Sequence, residues 1–318
     1  MSSEAGAPRV VALGGGHGLA ASLSALRRVT TRLTAIVTVA DNGGSSGRLR
    51  AELGVLPPGD LRQALAALCR DDEWGRTWAR VLQHRFAGNG ELHDHAVGNL
   101  LIVALWELLG DHVGGLDLVG RLLGSQGRVL PMAAVPLDIT AQVQGLDPQH
   151  PSSVRVVRGQ VEVATTAGHV VGVSLDPADP PACVEAVAAV RTADHVVLGP
   201  GSWFTSVIPH LLVPQLAAAL HETPARRIVT LNLGEQPGET DGFSQATHLE
   251  VLAMHAPDLR IDVVVADRRA VGDPGDLANT ARGIGAELVL ADVASGEDPQ
   301  RHDTVRLAAA YQSVMGGG

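Results

Sequence analysis

Residues 9–26 read RVVALGGGHGLAASLSAL, and this stretch decides the predicted fold. The apolar run 9–13 is typical of a buried strand, and Leu19, Leu23 and Leu26 follow at the spacing of one helix face. A glycine cluster at 14–18 lies between them and favours a tight turn. A strand, a glycine turn and a helix in this order place backbone N–H groups and the positive end of a helix dipole at one point, where anions bind.

The same alternation recurs along the chain and predicts an α/β protein with a Rossmann-like three-layer fold and a mainly parallel sheet. Predicted strands cover residues 33–39, 195–198, 227–231, 261–266 and 288–290, and predicted helices cover 181–191, 211–221, 244–256 and 304–314. Helices at 60–70, 74–86, 96–109 and 116–123 form a helical insertion at about 57–125. Short alternating strands at 139–145, 154–157, 161–165 and 169–175 predict an antiparallel β-hairpin edge at about 138–176. We expect one domain over residues 1–318.

Composition excludes several classes of function. The chain has 34 acidic and 24 basic residues, a net charge of −10, which argues against a nucleic-acid partner. Every basic residue is Arg, so a P-loop lysine and a lysine Schiff base are both excluded. We interpret Cys69 and Cys183 as buried, reduced thiols. The N-terminus has no basic-then-apolar leader and the apolar runs are strand-length, which predicts a cytoplasmic protein without membrane insertion.

Two further predicted strands end in loops that resemble the first glycine loop. Residues 40–48 are too polar and glycine-rich for regular structure, and within them 43–48 offer backbone amides, two hydroxyls and a guanidinium that suit a phosphate. Residues 199–206 follow another buried strand. Since the carboxyl ends of parallel strands meet at one edge of a sheet, we expect the three loops to share one crevice. The first loop, with Gly16, Gly18 and Ala21 followed by Asp41, also fits a dinucleotide fingerprint, which leaves a nicotinamide-dependent oxidoreductase open.

Several polar residues near these loops have two interpretations. Asp60 is expected to cap the helix that follows residues 57–59, and Arg62 could reach a ligand or pair with Asp60. Asn99 could cap its helix or point into the crevice. Residues 93–95, His-Asp-His, are interpreted as a solvated loop, and no metal site is predicted there.

The segment 232–242 forms a fourth polar loop at a strand end. Its carboxylates, Glu235, Glu239 and Asp241, could hold Mg²⁺ or sugar hydroxyls. A solvated acidic loop is the equal alternative.

Six motifs together resemble one known family. They are GGGHGL at 14–19, TVADNGGSSGRLR at 38–50, PPGDLR at 57–62, GNLL at 98–101, GPGS at 199–202 and QPGET at 236–240. In this order, over residues 9–315, they resemble the gluconeogenesis-factor family (YvcK-like), which shares a superfamily with the 2-phospho-L-lactate transferases (CofD-like).

The resemblance implies a Rossmann-like fold, a cytoplasmic location, binding of a UDP-sugar such as UDP-N-acetylglucosamine, and a role in cell shape and in growth on gluconeogenic carbon sources. The transferase branch implies an alternative, in which a guanosine dinucleotide donates a phospholactyl group with the help of Mg²⁺. Whether the protein is an enzyme stays open.

The sequence departs from the family pattern at three places. His17 replaces a threonine in the first loop, Asn42 replaces the second acid of an Asp-Asp pair that begins at Asp41, and Ala281 stands where a tyrosine is expected. Arg301-His302 matches a pair that the resemblance associates with the UDP-sugar site. The expected partner is a nucleotide or nucleotide sugar, and we expect a homo-oligomer.

The predicted ligand-binding residues come from the loops, the helices that follow them and Arg301. They are Gly15, Gly16, His17, Gly18, Leu19, Asp41, Asn42, Gly44, Ser45, Ser46, Arg48, Asp60, Arg62, Asn99, Gly199, Pro200, Gly201, Ser202, Thr205, Ser206 and Arg301. Asp41 and Asn42 are also the candidates for catalysis. No resident metal is predicted, with Mg²⁺ possible at the fourth-loop carboxylates and in the transferase alternative.

Overall fold

The computed structural model describes residues 6–236 and 238–316, so the N-terminal residues 1–5 lie outside the described chain. These described residues contain ten strands: β1 Arg9–Gly14, β2 Arg32–Val37, β3 Arg128–Pro131, β4 Asp138–Gln144, β5 Val154–Arg158, β6 His169–Asp176, β7 His195–Leu198, β8 Arg226–Thr230, β9 Val263–Asp267 and β10 Glu287–Ala291. Seven of them form a parallel sheet in the order β10-β9-β8-β7-β1-β2-β3. This confirms the Rossmann-like α/β fold.

Helices flank the sheet and form the predicted insertion. They are α1 Gly16–Leu26, α2 Gly44–Leu53, α3 Gly59–Ala67, α4 Glu73–Gln83, α5 Val97–Leu109, α6 His112–Leu123, α7 Gln160–Ala164, α8 Val184–Arg191, α9 Pro214–Glu222, α10 Gln245–His255, α11 Pro274–Gly283 and α12 Thr304–Gly316. A π-helical turn, Trp203–Val207, and a 3₁₀ turn, Ile208–Leu212, follow β7.

The core forms because the central strands are apolar on both faces. In β1 and β9 every residue except Arg9 is buried, as expected for parallel strands covered by helices on either side. β1 pairs with β2 on one side and with β7 on the other. The chain order therefore reverses between β1 and β7, and the carboxyl ends of these two strands border the crevice where such folds bind ligands.

The structure corrects several local predictions. Residues 40–48 were expected to be irregular, but α2 begins at Gly44 because Gly43 takes an extended N-cap conformation. Residues 161–165 were predicted as a strand but lie largely in α7, which follows Gly159 at a φ of 106°. An alternating valine pattern in so short a segment does not separate one helical turn from a strand.

Strand β3 and helix α11 were not predicted, and the antiparallel strands were predicted in a different place. β3 is four residues long and ends in proline, which hid it from pattern analysis. The amino end of α11 is capped by Asp273, whose side chain accepts the amides of Gly275 and Asp276. The antiparallel strands form their own sheet, in the order β5-β4-β6, and not an edge of the parallel sheet.

Two further findings concern cysteines and apolar helices. Cys69 and Cys183 are both free and buried, as predicted. Within the described part of the chain, no helix by itself is long and apolar enough to cross a membrane. One pair of consecutive helical segments, Trp203–Leu212 and Pro214–Glu222, reaches the length and apolar composition of a membrane span only when the two are counted together, and the pair is sharply bent.

Candidate functional site

The first and third loops touch each other at the crevice between β1 and β7. A Cβ atom on Gly18 would lie 2.3 Å from the Pro200 carbonyl oxygen and 2.5 Å from the Gly201 Cα atom. Only glycine permits this approach at position 18, because any side chain would displace backbone atoms of the third loop. Sequence reasoning thus predicted correctly that these two loops converge.

Helix α1 presents its amino end to the same place. Its N-cap, Gly15, has no side chain, and no side-chain hydrogen bond caps the helix. The first turn contains no acidic residue. The amides of this turn and the helix dipole therefore provide positive potential without an internal counter-charge from α1.

A cleft of about 370 Å³ lies between these loops. Nine of the predicted binding residues line it: Gly15, Gly16, His17, Gly18, Asp60, Gly201, Ser202, Thr205 and Ser206. Helix α7, which was not predicted to take part, contributes Gln160, Val161 and Ala164, and Thr165 follows it. The fourth loop contributes Gln236, whereas none of its carboxylates lines this cleft. No spacing signal in the sequence links α7 to the glycine loop, because the contact depends on how the small antiparallel sheet docks.

The fourth loop holds the third loop in shape. The Asn232 side chain accepts the Gly201 amide at 2.8 Å and donates to the Gly201 carbonyl oxygen at 2.8 Å. Glu239 accepts the amides of Phe204 and Thr205 at 2.8 and 2.9 Å, and Ser202 donates its hydroxyl to the same carboxylate. Glu239 is buried and is therefore not part of a solvated acidic loop, and burial raises its pKa.

Asp60 is the buried acid of the cleft. It was expected to cap α3, but Pro58 is the N-cap and Asp60 lies in the first turn with only 7% of its surface exposed. Its Oδ2 atom has no hydrogen-bond partner and lies 2.5 Å from where a Cβ on Gly15 would be. Burial, followed by the negative charge of Asp41, raises the pKa of Asp60 to about 7.

Asp41 and Ser46 lie next to Asp60 and connect the second loop to the first. A Cβ on Gly59 would lie 2.4 Å from the Ser46 hydroxyl oxygen and 2.8 Å from Asp41 Oδ2. The other oxygen of Asp41 accepts the Gly43 amide at 2.8 Å. Asp41 Oδ2 therefore lies beside the start of α3, and Asp41 itself does not line the 370 Å³ cleft.

The hydroxyl of Ser45 is used inside the protein. It accepts the Ala96 amide at 3.3 Å and the Asn99 side-chain amide at 3.0 Å, and it lies 3.1 Å from His95 Nδ1. Because it accepts two N–H groups, its own hydrogen points to His95, whose ring is then neutral. Burial, with Arg48 nearby, lowers the pKa of His95. His95 is thus buried, which corrects the prediction of a solvated 93–95 loop, although His93 and Asp94 are exposed.

Arg62 and Asn99 belong to the same buried network. Arg62 Nε donates to the Asn99 side-chain oxygen at 2.9 Å, and its Nη1 donates to Gln83. Neither residue lines the cleft, and Asn99 does not cap α5, which has no side-chain cap. Burial and the neighbouring Arg85 lower the pKa of Arg62 to about 10, so it remains charged at neutral pH.

Asn42 holds helix α7 in place. Its side-chain oxygen accepts the Val161 amide at 3.0 Å, and its side-chain nitrogen donates to Glu162 at 2.8 Å. Val161 Cγ2 packs 3.0 Å from where a Cβ on Gly43 would be. Asn42 therefore anchors α7, which lines one side of the cleft and is called the strap below.

The remaining predicted residues lie around or away from the cleft. Asn42, Gly44 and Arg48 line a more open neighbouring cavity of about 550 Å³, and Arg48 donates to the His93 carbonyl oxygen at 2.7 Å. Leu19, Gly199 and Pro200 are buried and do not line the cleft. Arg301 is exposed beyond β10, and Ala281 is buried in α11.

In the residues that the structure describes, no group of three or more His, Cys, Asp or Glu side chains is arranged to hold a metal ion. Asp60 lines the cleft and Asp41 lies close enough to raise its pKa, but no third such side chain of the described residues joins them. No chemical step is therefore assigned to a metal.

A family model described as 2-phospho-L-lactate transferase CofD matches residues 10–308. The chain belongs to the CofD family. Within the CofD family, a Mycobacterium tuberculosis relative named gluconeogenesis factor is 56% identical over 96% of this chain and 90% of its own. A Listeria monocytogenes gluconeogenesis factor is 35% identical over 97% of this chain and 96% of its own. A solved structure of a UPF0052 family member from Bacillus halodurans has a TM-score of 0.84 and 31% identity, with 95% of this chain and 98% of that chain covered.

Proposed function

We propose that this protein is a cytoplasmic regulatory protein of the gluconeogenesis-factor type that binds a nucleotide sugar such as UDP-N-acetylglucosamine. The observation that carries the proposal is the meeting of the first and third loops around an uncapped helix end at the point where the strand order reverses. Such a site suits the phosphates of a nucleotide. The names of the relatives support the regulatory role in carbon metabolism.

Phosphate binding would use a different part of the site from base or sugar binding. The first-turn residues of α1, Gly16, His17 and Gly18, line the 370 Å³ cleft. A second cavity of about 510 Å³ opens at the ends of β8 and β9, where Glu235, Gln245 and Gln300 could hydrogen-bond a sugar or base. Arg301, which follows Gln300 in the sequence, would then lie at the end of the ligand far from the phosphates.

Calorimetric titration with UDP-N-acetylglucosamine tests the proposal. We expect saturable heat for the wild type and for Gly90→Ala, since a Cβ at Gly90 meets nothing within 4 Å. Gly18→Ala should bind far more weakly, because its Cβ would push the third loop out of position. Absence of heat and of any thermal shift with millimolar ligand would overturn the proposal.

The transferase alternative has less support from the site. In that alternative Asp41 and position 42 would handle a metal and substrate, but the Asn42 side chain is engaged with α7. Release of a nucleoside monophosphate from a guanosine dinucleotide in the presence of an acceptor would favour this alternative over the regulatory role.

The roles in cell shape and in growth on gluconeogenic carbon sources are part of the same proposal, as is assembly into a homo-oligomer. Growth and morphology of a strain lacking the protein on such a carbon source would test the first two. Light scattering of the purified protein would test the third, and a monomer would contradict it.

A further inference from the structure

We propose that the cleft binds its phosphate-bearing ligand together with one proton, which is held on the carboxyl group of Asp60. The inference rests on the proposed function, since it names how the same site receives an anion. In this inference, the carboxyl group of Asp60 carries the proton that is taken up when the ligand binds.

The first step concerns the position of the Asp60 carboxyl. It is 7% exposed and lines the cleft beside the glycine loop, and its Oδ2 has no hydrogen-bond partner. A buried polar atom without a partner is costly, so one that lines a cleft is normally satisfied when the cleft is filled. The partner that the site offers is the ligand.

The second step concerns the charges around this carboxyl. The second loop contributes Asp41, whose negative charge raises the pKa of Asp60. The glycine loop contributes His17 and the Gly16 amide, and that amide lowers the pKa by less than burial and Asp41 raise it. On its own helix Arg62 is the nearest positive group, but its guanidinium donates to Asn99 and Gln83 and not to Asp60.

The third loop and the strap contribute only uncharged groups to this cleft. They are Ser202, Thr205, Ser206 and Gln160. The acidic side chains nearby are engaged elsewhere, Glu239 with the third-loop amides and Glu162 with Asn42. No cation on the described residues is therefore placed to neutralise both Asp60 and an incoming phosphate.

The third step is electrostatic. An ionised carboxylate and a phosphate in one partly buried cleft repel each other strongly, because the dielectric screening there is weak. A protonated carboxyl removes this repulsion. Its O–H donates to a phosphate oxygen, so that Oδ2 gains the hydrogen-bond partner that it lacks in the unliganded protein. The raised pKa of Asp60, to about 7, means that this proton costs little near neutral pH. The proton is taken from solvent and no covalent bond changes.

Titration calorimetry with UDP-N-acetylglucosamine at pH 6.5 to 8.5 tests the inference, because the diphosphate of this probe does not titrate in that range. With half-protonation of Asp60 near pH 7, the apparent Kd should rise roughly 25-fold from pH 6.5 to 8.5. Repeating the titration at pH 8 in two buffers of different ionisation enthalpy should show uptake of about one proton.

Two variants and a comparison with and without Mg²⁺ show which group takes up the proton. Asp60→Asn keeps an N–H donor without titrating, so its affinity should vary less than about 3-fold over the same pH range and its proton uptake should vanish. His17→Gln should retain the uptake, since His17 is the other titratable group of the cleft. All titrations are run in EDTA and again with Mg²⁺.

The outcomes distinguish this inference from the proposed function. Binding of the wild type without proton uptake, loss of the uptake in His17→Gln only, or binding that requires Mg²⁺ would each overturn the inference and leave the proposed function standing. No binding at any pH by the wild type or by Asp60→Asn would overturn both the inference and the proposed function.

Discussion

Replacement of Asp60 by asparagine should stabilise the unliganded protein at alkaline pH and do so progressively less as the pH falls. The carboxyl is buried and its pKa is raised from 3.8 to about 7, chiefly by burial and then by Asp41. Between these two values the folded state holds the proton more tightly than the unfolded state does. Stability therefore falls as the pH rises through this window and levels off above the folded pKa.

The magnitude follows from the size of the shift. One pKa unit corresponds to about 1.4 kcal/mol, so ionised Asp60 costs the folded state roughly 4 kcal/mol above pH 8. At pH 5 the cost is only about 1.5 kcal/mol, because most of the population is still protonated when folded. The advantage of Asp60→Asn should consequently grow by roughly 3 kcal/mol from pH 5 to pH 8.

Urea unfolding at several pH values from 5 to 8.5, followed by circular dichroism, measures this difference directly. A constant offset from altered hydrogen bonding cancels when the two ends of the pH range are compared. Asp179→Asn serves as the matched control, since Asp179 is exposed and has no burial to relieve. Equal stability differences between Asp60→Asn and wild type at pH 5 and pH 8 would refute the reasoning.

Three other substitutions give independent predictions. Glu239→Ala should lower the free energy of unfolding by roughly 2 to 5 kcal/mol, because the buried amides of Phe204 and Thr205 lose their acceptor, and an unchanged urea midpoint would contradict this. Arg48→Ala should reduce nucleotide affinity in calorimetry while changing stability by less than about 1 kcal/mol, because Arg48 is exposed, and a large loss of stability would show it to be structural. Glu162→Ala should increase amide exchange in α7, since Asn42 then loses one of its two contacts there, and unchanged exchange would mean that this contact does not hold the strap.

The sequence by itself determined the central strands of the parallel sheet and the glycine turn. Apolar runs such as 9–13 and 195–198 became β1 and β7, because strands buried on both faces need continuous apolar residues. The glycines at 14–18 and 199–201 indicated the tight loops at their ends. Convergence of these loops followed from the parallel sheet, in which all carboxyl ends share an edge.

Local pattern was not sufficient for the polar residues of the site. By pattern alone Asp60 is predicted to cap a helix, and Glu239 to bind Mg²⁺ or sugar hydroxyls or to lie in a solvated loop, since both lie among turn-forming residues. The structure buries both, one beside the glycine loop and the other beneath the third loop. Ser45, predicted to meet a phosphate, instead bonds to His95 and Asn99.

Only the tertiary structure decided which of these groups face the cleft and which are consumed in holding it together. Hydrogen-bond partners far apart in sequence, such as Asn42 with Val161 and Asn232 with Gly201, are fixed by how separate elements dock. A carboxyl becomes a proton-binding group through burial and neighbouring charge, and both are properties of the packed chain. Residue type gave the capacity for hydrogen bonding, and packing determined its use.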